Sequence, residues 1–367
     1  MRLTLLIPQL LWPEPGDQET PGDLPTPGFG WLTARATRRR SPALPFEAAL
    51  AASFGLAALP SPPALGALRL LGEDTGEEDT DKNADKTAAD GYWLCADPAH
   101  LRFHHERIVL ADAGAFELSL DEAEELAAAL NAEFADLGQL HVATARRWYL
   151  RLNPDGDHFA GACRHVAPPL SAVAGKRVDN QPPAADATLT RWLNEAQMLL
   201  HNHPLNARRE ARGQPTINSL WLWGGGALKR PPPGCFTAVW SDHPLAIGLA
   251  RAGGTPAHPL PENFAAFTNL ASTGSNALLV LDSLLAPALY EDGEAWRNAW
   301  QALENDWFAP LAGEPGGVVK TLTIVAPTVY GNLNWSLAGR DRWKFWRRSQ
   351  TLAALAGELA PSPRAIA

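Results

Sequence analysis

Several short stretches of this 367-residue chain carry side chains that could do chemistry. Asp79-Thr80-Asp81-Lys82-Asn83-Ala84-Asp85 places oxygen-bearing side chains at alternate positions, with Asp90 further on, as a calcium loop does. Such a loop wants Gly at its sixth position and Glu at its twelfth, where Ala84 and Asp90 stand, so a solvated acidic loop is expected instead. His201-Asn202-His203 and His104-His105 could share a metal if carried on a strand, but at a helix end such side chains diverge. No Cys or carboxylate stands at a supporting spacing, and structural roles are expected for both. Gly224-Gly225-Gly226 follows the apolar run Leu220-Trp221-Leu222-Trp223, as a phosphate-cradling loop would. It lacks the dinucleotide spacing and the Lys-Ser/Thr of a P-loop. Arg340 to Arg348 interleaves cations with Trp343, Phe345 and Trp346, as single-strand nucleic-acid surfaces do. An amphipathic edge that packs its aromatics on the body is the expectation there, and a solvated turn is the expectation for Arg38-Arg39-Arg40.

Composition narrows the classes. Apolar residues make up 46%, enough for a real core, and the net charge of −9 argues against general nucleic-acid binding. The three cysteines, Cys95, Cys163 and Cys235, are too few and too dispersed for a disulfide framework or a zinc module. Leu3 to Ile7 is too short for a signal peptide or a bilayer span and reads as a first buried strand, so a cytoplasmic location without membrane attachment is expected. Between residues 73 and 90 stand eight acidic residues against two lysines, which marks a solvated insertion.

The elements that must position these residues alternate. Strand patterns recur at Leu3–Ile7, Arg107–Leu110, Trp148–Leu152, Ser219–Trp223, Leu278–Leu281 and Leu322–Val325. Helical patterns occupy Pro45–Leu56, Leu189–His201, Leu245–Ala252 and Glu294–Phe308, and Ser119-Leu120-Asp121-Glu122 opens another as a capping box. Alternation of this kind implies an α/β fold, a mostly parallel sheet with helices on both faces.

The glycine run gains meaning from its surroundings. His203-Pro204-Leu205-Asn206, Arg209 and Gly213 lead into Asn218-Ser219-Leu220-Trp221-Leu222-Trp223-Gly224-Gly225-Gly226. This resembles the His-Pro-x-Asn-x-x-Arg-x-x-x-Gly stretch and the Asn-x-Ile-Trp-Leu-Trp-Gly-Gln-Gly strand and turn of archaeal-type cofactor-independent phosphoglycerate mutases. Thr26-Pro27, Leu68 to Gly72, Ser119 to Phe134, Arg147 and Pro168-Pro169 match further segments of that family in order. The resemblance implies an alkaline-phosphatase-like core with an inserted α+β domain. The expected division is core at 1–140, insertion at 141–239 and core again at 240–367.

It also implies a two-metal site and a Ser or Thr nucleophile, and the matching positions depart from both. The Asp-Gly expected after the first strand is Pro8-Gln9, and the nucleophile position falls on Pro63, with Ser61 two residues away. The two late ligand motifs are replaced by Asp282-Ser283-Leu284 and Thr328-Val329-Tyr330. The sequence is similar in this respect to degenerate relatives called regulatory proteins of the RpfE type. The expectation is therefore a non-catalytic binding or regulatory protein with no metal and no cofactor and an unidentified protein partner. The competing expectation is an active phosphomutase or phosphatase with displaced ligands such as Asp242, His243 and Asp282. In the family, basic residues of the insertion hold the substrate phosphate. The matching positions, Arg147 and Arg209, with Asn206, Asn218 and Gly224, Gly225 and Gly226 around them, are expected to bind a small phosphorylated or carboxylated metabolite.

Overall fold

The first strand decides the architecture of one half of the chain. In β1 (Arg2–Leu6), Leu3, Leu5 and Leu6 are all buried, as a parallel strand covered on both faces requires. A computed structural model describes residues 1–14, 16–56, 63–73, 91–104, 107–155, 167–176, 187–228, 230–272, 274–314 and 318–360. It divides into two units, Met1–Phe54 with Pro232–Ala367, and Gly55–Pro231.

In the first unit β1 lies parallel between β10 (Asn276–Val280) and β11 (Thr321–Thr328), and Leu3 faces Leu322 directly in the ladder. The sheet continues in parallel through β8 (Ala238–Trp240) and β9 (Ala257–His258). At the other edge β12 (Gly331–Ala338) and β2 (Thr37–Ser41) are antiparallel, giving the order β2-β12-β11-β1-β10-β8-β9. Arg38-Arg39-Arg40 is thus an edge strand and not a turn. Charged side chains suit an edge because they oppose further strand pairing. The core on one face is aromatic: Trp296 and Trp300 are wholly buried, and Phe29 packs against Trp300, Phe308 and Trp335. Glu304, also buried, accepts from the backbone amides of Gly28 and Phe29 and so caps the helix Pro27–Arg35. Burial pushes the Glu304 carboxyl up, and the two amides oppose that shift.

The second unit is built on an antiparallel sheet. Its longest strand, β3 (Tyr92–His104), pairs with β4 (Arg107–Asp112), β6 (Arg147–Leu152) and β7 (Ser219–Ala227), and β5 (Gly138–Thr144) pairs with β6. The helices Leu120–Glu133 and Ala187–Asn202 bury Leu126, Leu130, Leu189 and Trp192 together with Trp148 and Leu150 of β6. The capping box at Ser119 forms, with Ser119 and Glu122 each accepting from the other's amide. This unit begins near residue 55 and not at 141, and ends at 231 and not at 239. The reason is β3: it is hydrogen-bonded to β6 and β7, so the segment that carries it must belong with them. Among the described residues no helix is long and apolar enough to cross a membrane.

Candidate functional site

In a parallel sheet, chemistry gathers beyond the carboxyl ends of the strands, and two-metal phosphoryl transfer would need its ligands there. In the first unit those ends carry Pro8-Gln9 after β1, Ser241-Asp242-His243 after β8, Asp282 after β10 and Thr328 at the end of β11. Asp282 is the most promising. Burial raises its pKa, its own backbone amide opposes the shift, and the charge of Asp242 adds to the rise. The other candidates have structural tasks. Asp242 accepts from the Leu260 amide at 3.0 Å. His243 Nδ1 accepts from the Leu245 amide at 3.3 Å, capping the helix Pro244–Ala252, while its ring stands edge-on to Phe46 at 4.9 Å. β11 turns straight into β12, with Thr328 opposite Gly331. Among the described residues no group of three His, Cys, Asp or Glu converges on one point. The described side chains at these strand ends do not fit a pair of divalent ions.

Gln9 retains a trace of the glycine the resemblance implies. Its φ is +54°, in the left-handed region that favours Gly, and its side-chain Oε1 is buried without a partner. Its backbone is held there because its amide donates to Pro327 O and its carbonyl accepts from Trp296 Nε1.

The residues expected to hold an anion lie in the second unit and fall into separate networks. Arg209 is fully buried and all its nitrogens are engaged, with Nε on Pro215 O, Nη1 on Glu122 and Nη2 on Glu117 O. Asn206 ties the Leu200 and Ile217 carbonyls and the Ile217 amide together. Asn218 brackets Leu101 of β3 in the same way. Arg147 sits on β6, and its Nε and Nη2 donate to the two oxygens of Glu73, each at 2.8 Å. Its side chain keeps 36% of its exposure, against 1% for Arg209, so it is the more accessible of the two.

The Gly224–Gly226 run is part of β7 and serves packing. A Cβ on Gly226 would stand 2.6 Å from the Ala64 Cβ, and one on Gly224 3.0 Å from the Leu65 Cβ. On the helix side, a Cβ on Gly66 would lie 3.0 Å from the backbone of Leu94 and Cys95. The glycines let the helix Leu65–Leu71 lie directly on the sheet.

That contact positions a buried network which the sequence did not announce. Arg69 donates from both Nη atoms to Asp97 at 2.9 and 2.7 Å, and Asp97 also accepts from Trp223 Nε1 and the Trp148 amide. The guanidinium lies over the rings of Tyr149 and Trp223, at 4.7 and 5.1 Å. Burial works against its charge, but the groups around it, Asp97 foremost, together more than offset this and raise its pKa. Tyr149 donates to Glu73, which joins Arg147 to the same cluster. Burial raises the Tyr149 pKa well above its ordinary value.

Other expected sites resolve differently. His203 caps the start of the helix Pro204–Ala211, through Nδ1 and the Leu205 amide, instead of closing the preceding helix. Asp79 to Asp90, Ser61 and His105 lie outside the described residues. Trp343, Phe345 and Trp346 are 78%, 77% and 67% exposed, so they do not pack on the body as expected.

No protein-family profile matches the chain. The 2,3-bisphosphoglycerate-independent phosphoglycerate mutase of Ignicoccus hospitalis is 32% identical over 165 residues, which cover 40% of this chain and 38% of the relative. That of Pyrococcus horikoshii is 29% identical over 168 residues, covering 41% and 38%. The matched stretch thus spans less than two fifths of either relative. A solved structure of the PH0037 protein from Pyrococcus horikoshii aligns with a TM-score of 0.55 at 15% identity, covering 96% of this chain and 91% of that one, which is a likeness of fold. Over part of its length, therefore, this α/β chain shows distant sequence homology to the cofactor-independent phosphoglycerate mutases.

Proposed function

We propose that this chain is a cytoplasmic binding or regulatory protein of the RpfE type, built on a phosphoglycerate-mutase-like scaffold without that scaffold's metal-dependent chemistry. The observation that carries this reading is the set of side chains beyond the strand ends. Two-metal catalysis needs several carboxylates and imidazoles around one point to activate a nucleophile and hold both in-line oxygens. Here, among the described residues, Asp282 feels the charge of Asp242, and His243 is turned to capping. At the position matching the nucleophile stands Pro63, whose side chain has no hydroxyl.

A scaffold that has lost catalysis can keep its affinity for a small anion. Arg147 is the residue on which such a ligand would act, by exchanging with Glu73 on the guanidinium fork; planar, permanently charged arginine suits carboxylate or phosphate. Arg209 supports this reading only indirectly, through the fold of the second unit. The phosphoglycerates named for the relatives are the first ligands to try.

Metal analysis of the purified chain, followed by mutase and phosphatase assays with manganese, tests the first part. Substoichiometric metal and no turnover are expected; bound metal with manganese-dependent turnover would establish the displaced-ligand enzyme instead. Calorimetric titration with 3-phosphoglycerate tests the second, with Arg147→Ala as control. Absence of heat at millimolar ligand, or equal binding by the variant, would end the sensor reading.

A further inference from the structure

The exposed aromatic turn is the largest departure from what the composition leads one to expect. Apolar surface of this size normally marks an interaction site. Trp343, Phe345 and Trp346 fall within four consecutive residues, and all three rings are at least two-thirds exposed. The turn is held from below: Arg342 donates to Glu314 O, and Asp341 pairs with Lys344 at 2.7 Å and accepts from the Ala338 amide. The rings therefore project from an anchored base.

Cations adjoin the turn in sequence and lie on the edge strand of the same sheet. Arg347 and Arg348 follow directly, and Arg39 and Arg40 are exposed on the edge strand β2. Among the described residues none of these four has a carboxylate partner. Arg347, Arg348 and Arg38 line a cavity of about 500 Å³ together with Thr33 and Gln350, between the helix Pro27–Arg35, β2 and the segment after the turn. Glu358 pairs with Arg38 and accepts from Gln350, so the free positive charge there belongs to Arg347 and Arg348.

We propose that this face docks on an anionic lipid bilayer, with the Trp343, Phe345 and Trp346 rings in the headgroup interface and Arg347 and Arg348 on lipid phosphates. Amphipathic aromatic rings prefer that depth, and adjacent cations draw them to anionic lipid. Charge matters locally, because beyond about 10 Å at 0.1 M salt the acidic remainder of the protein is screened. A single-stranded nucleic acid fits less well. Stacking platforms line up rings along a groove that follows the strand, whereas these rings share one turn. Phe345 and Trp346 are also edge-to-face at 5.4 Å and 80°, so they offer no parallel faces for successive bases.

The test is flotation of the full chain with vesicles of phosphatidylcholine alone or mixed with phosphatidylglycerol, at low and physiological ionic strength. Binding to the mixed vesicles only, weakened by salt, is expected. Each cation at such a surface contributes about fivefold, so Arg347→Gln with Arg348→Gln should reduce binding about 25-fold. Trp343→Ser, Phe345→Ser and Trp346→Ser together should abolish it while the circular dichroism spectrum stays unchanged, since these side chains support no core. Failure to float at low ionic strength would overturn the proposal, as would binding that neither variant weakens. Tighter binding to an oligothymidylate, lost in the same variants, would assign the face to nucleic acid. Self-association lost with the aromatic rings would assign it to a second copy of this chain.

Discussion

Asp97→Ala should be one of the most damaging single changes in the second unit. The carboxylate is 1% exposed and satisfies four donors, at 2.7 and 2.9 Å from Arg69, 2.8 Å from Trp223 and 3.3 Å from the Trp148 amide. Its removal strands a guanidinium that already has one buried nitrogen, Nε, without a partner. Breaking a buried pair from one side costs about 3–5 kcal/mol, a fifth or more of the ~5–15 kcal/mol that stabilises a typical domain. The same reasoning makes the pair dispensable when both partners go. Arg69→Met with Asp97→Leu should be much milder than either single change, because no buried charge is left alone. Urea unfolding of the intact chain, followed by hydrogen exchange of peptides from β3, β6 and β7, reads the second unit separately from the first. That separation matters because two units need not unfold as one. An Asp97→Ala loss below about 1 kcal/mol, or a double variant as damaged as the two singles combined, would refute the reasoning.

Other outcomes follow from single contacts. Gly226→Ala should cost about 1–3 kcal/mol by overpacking against Ala64, measurable as a lower urea midpoint, whereas Gly213→Ala meets nothing within 4 Å and would act only through its left-handed backbone, φ +70°. Gln9→Gly should stabilise the first unit by about 1 kcal/mol, because it removes the left-handed cost of a side chain; a lower thermal midpoint would contradict this. Asp282 has a raised pKa from burial and from Asp242, so the folded state binds its proton more tightly than the unfolded chain. Stability from this group is full below the ordinary value of 3.8 and declines as pH rises towards the raised folded value. Asp282→Asn should flatten that decline and leave the protein more stable at neutral pH, as urea midpoints taken across the acid range would record.

Much of this fold is local and therefore legible in the sequence. Leu3 to Leu6 had to be a strand covered on both faces, because a short apolar run without alternation has no solvent side. Ser119 with Glu122 had to open a helix, because their reciprocal bonds close within three residues. Sequence position alone also places Pro63 and Pro8-Gln9 where the resembling family carries a hydroxyl and a ligand. What depended on tertiary structure was every pairing between distant residues. The insertion begins near residue 55 because β3 finds its partners more than fifty residues along the chain, in β6 and β7. Arg69 and Asp97 have no periodic or spacing signature, since they meet only when a glycine-lined helix lies flat on the sheet. Arg147 matches an anion-holding position of the resembling family, but its carboxylate partner is Glu73, 74 residues away in sequence. The basic aromatic turn has the composition of both a buried edge and an exposed one, and only the position of its anchors leaves the rings outside.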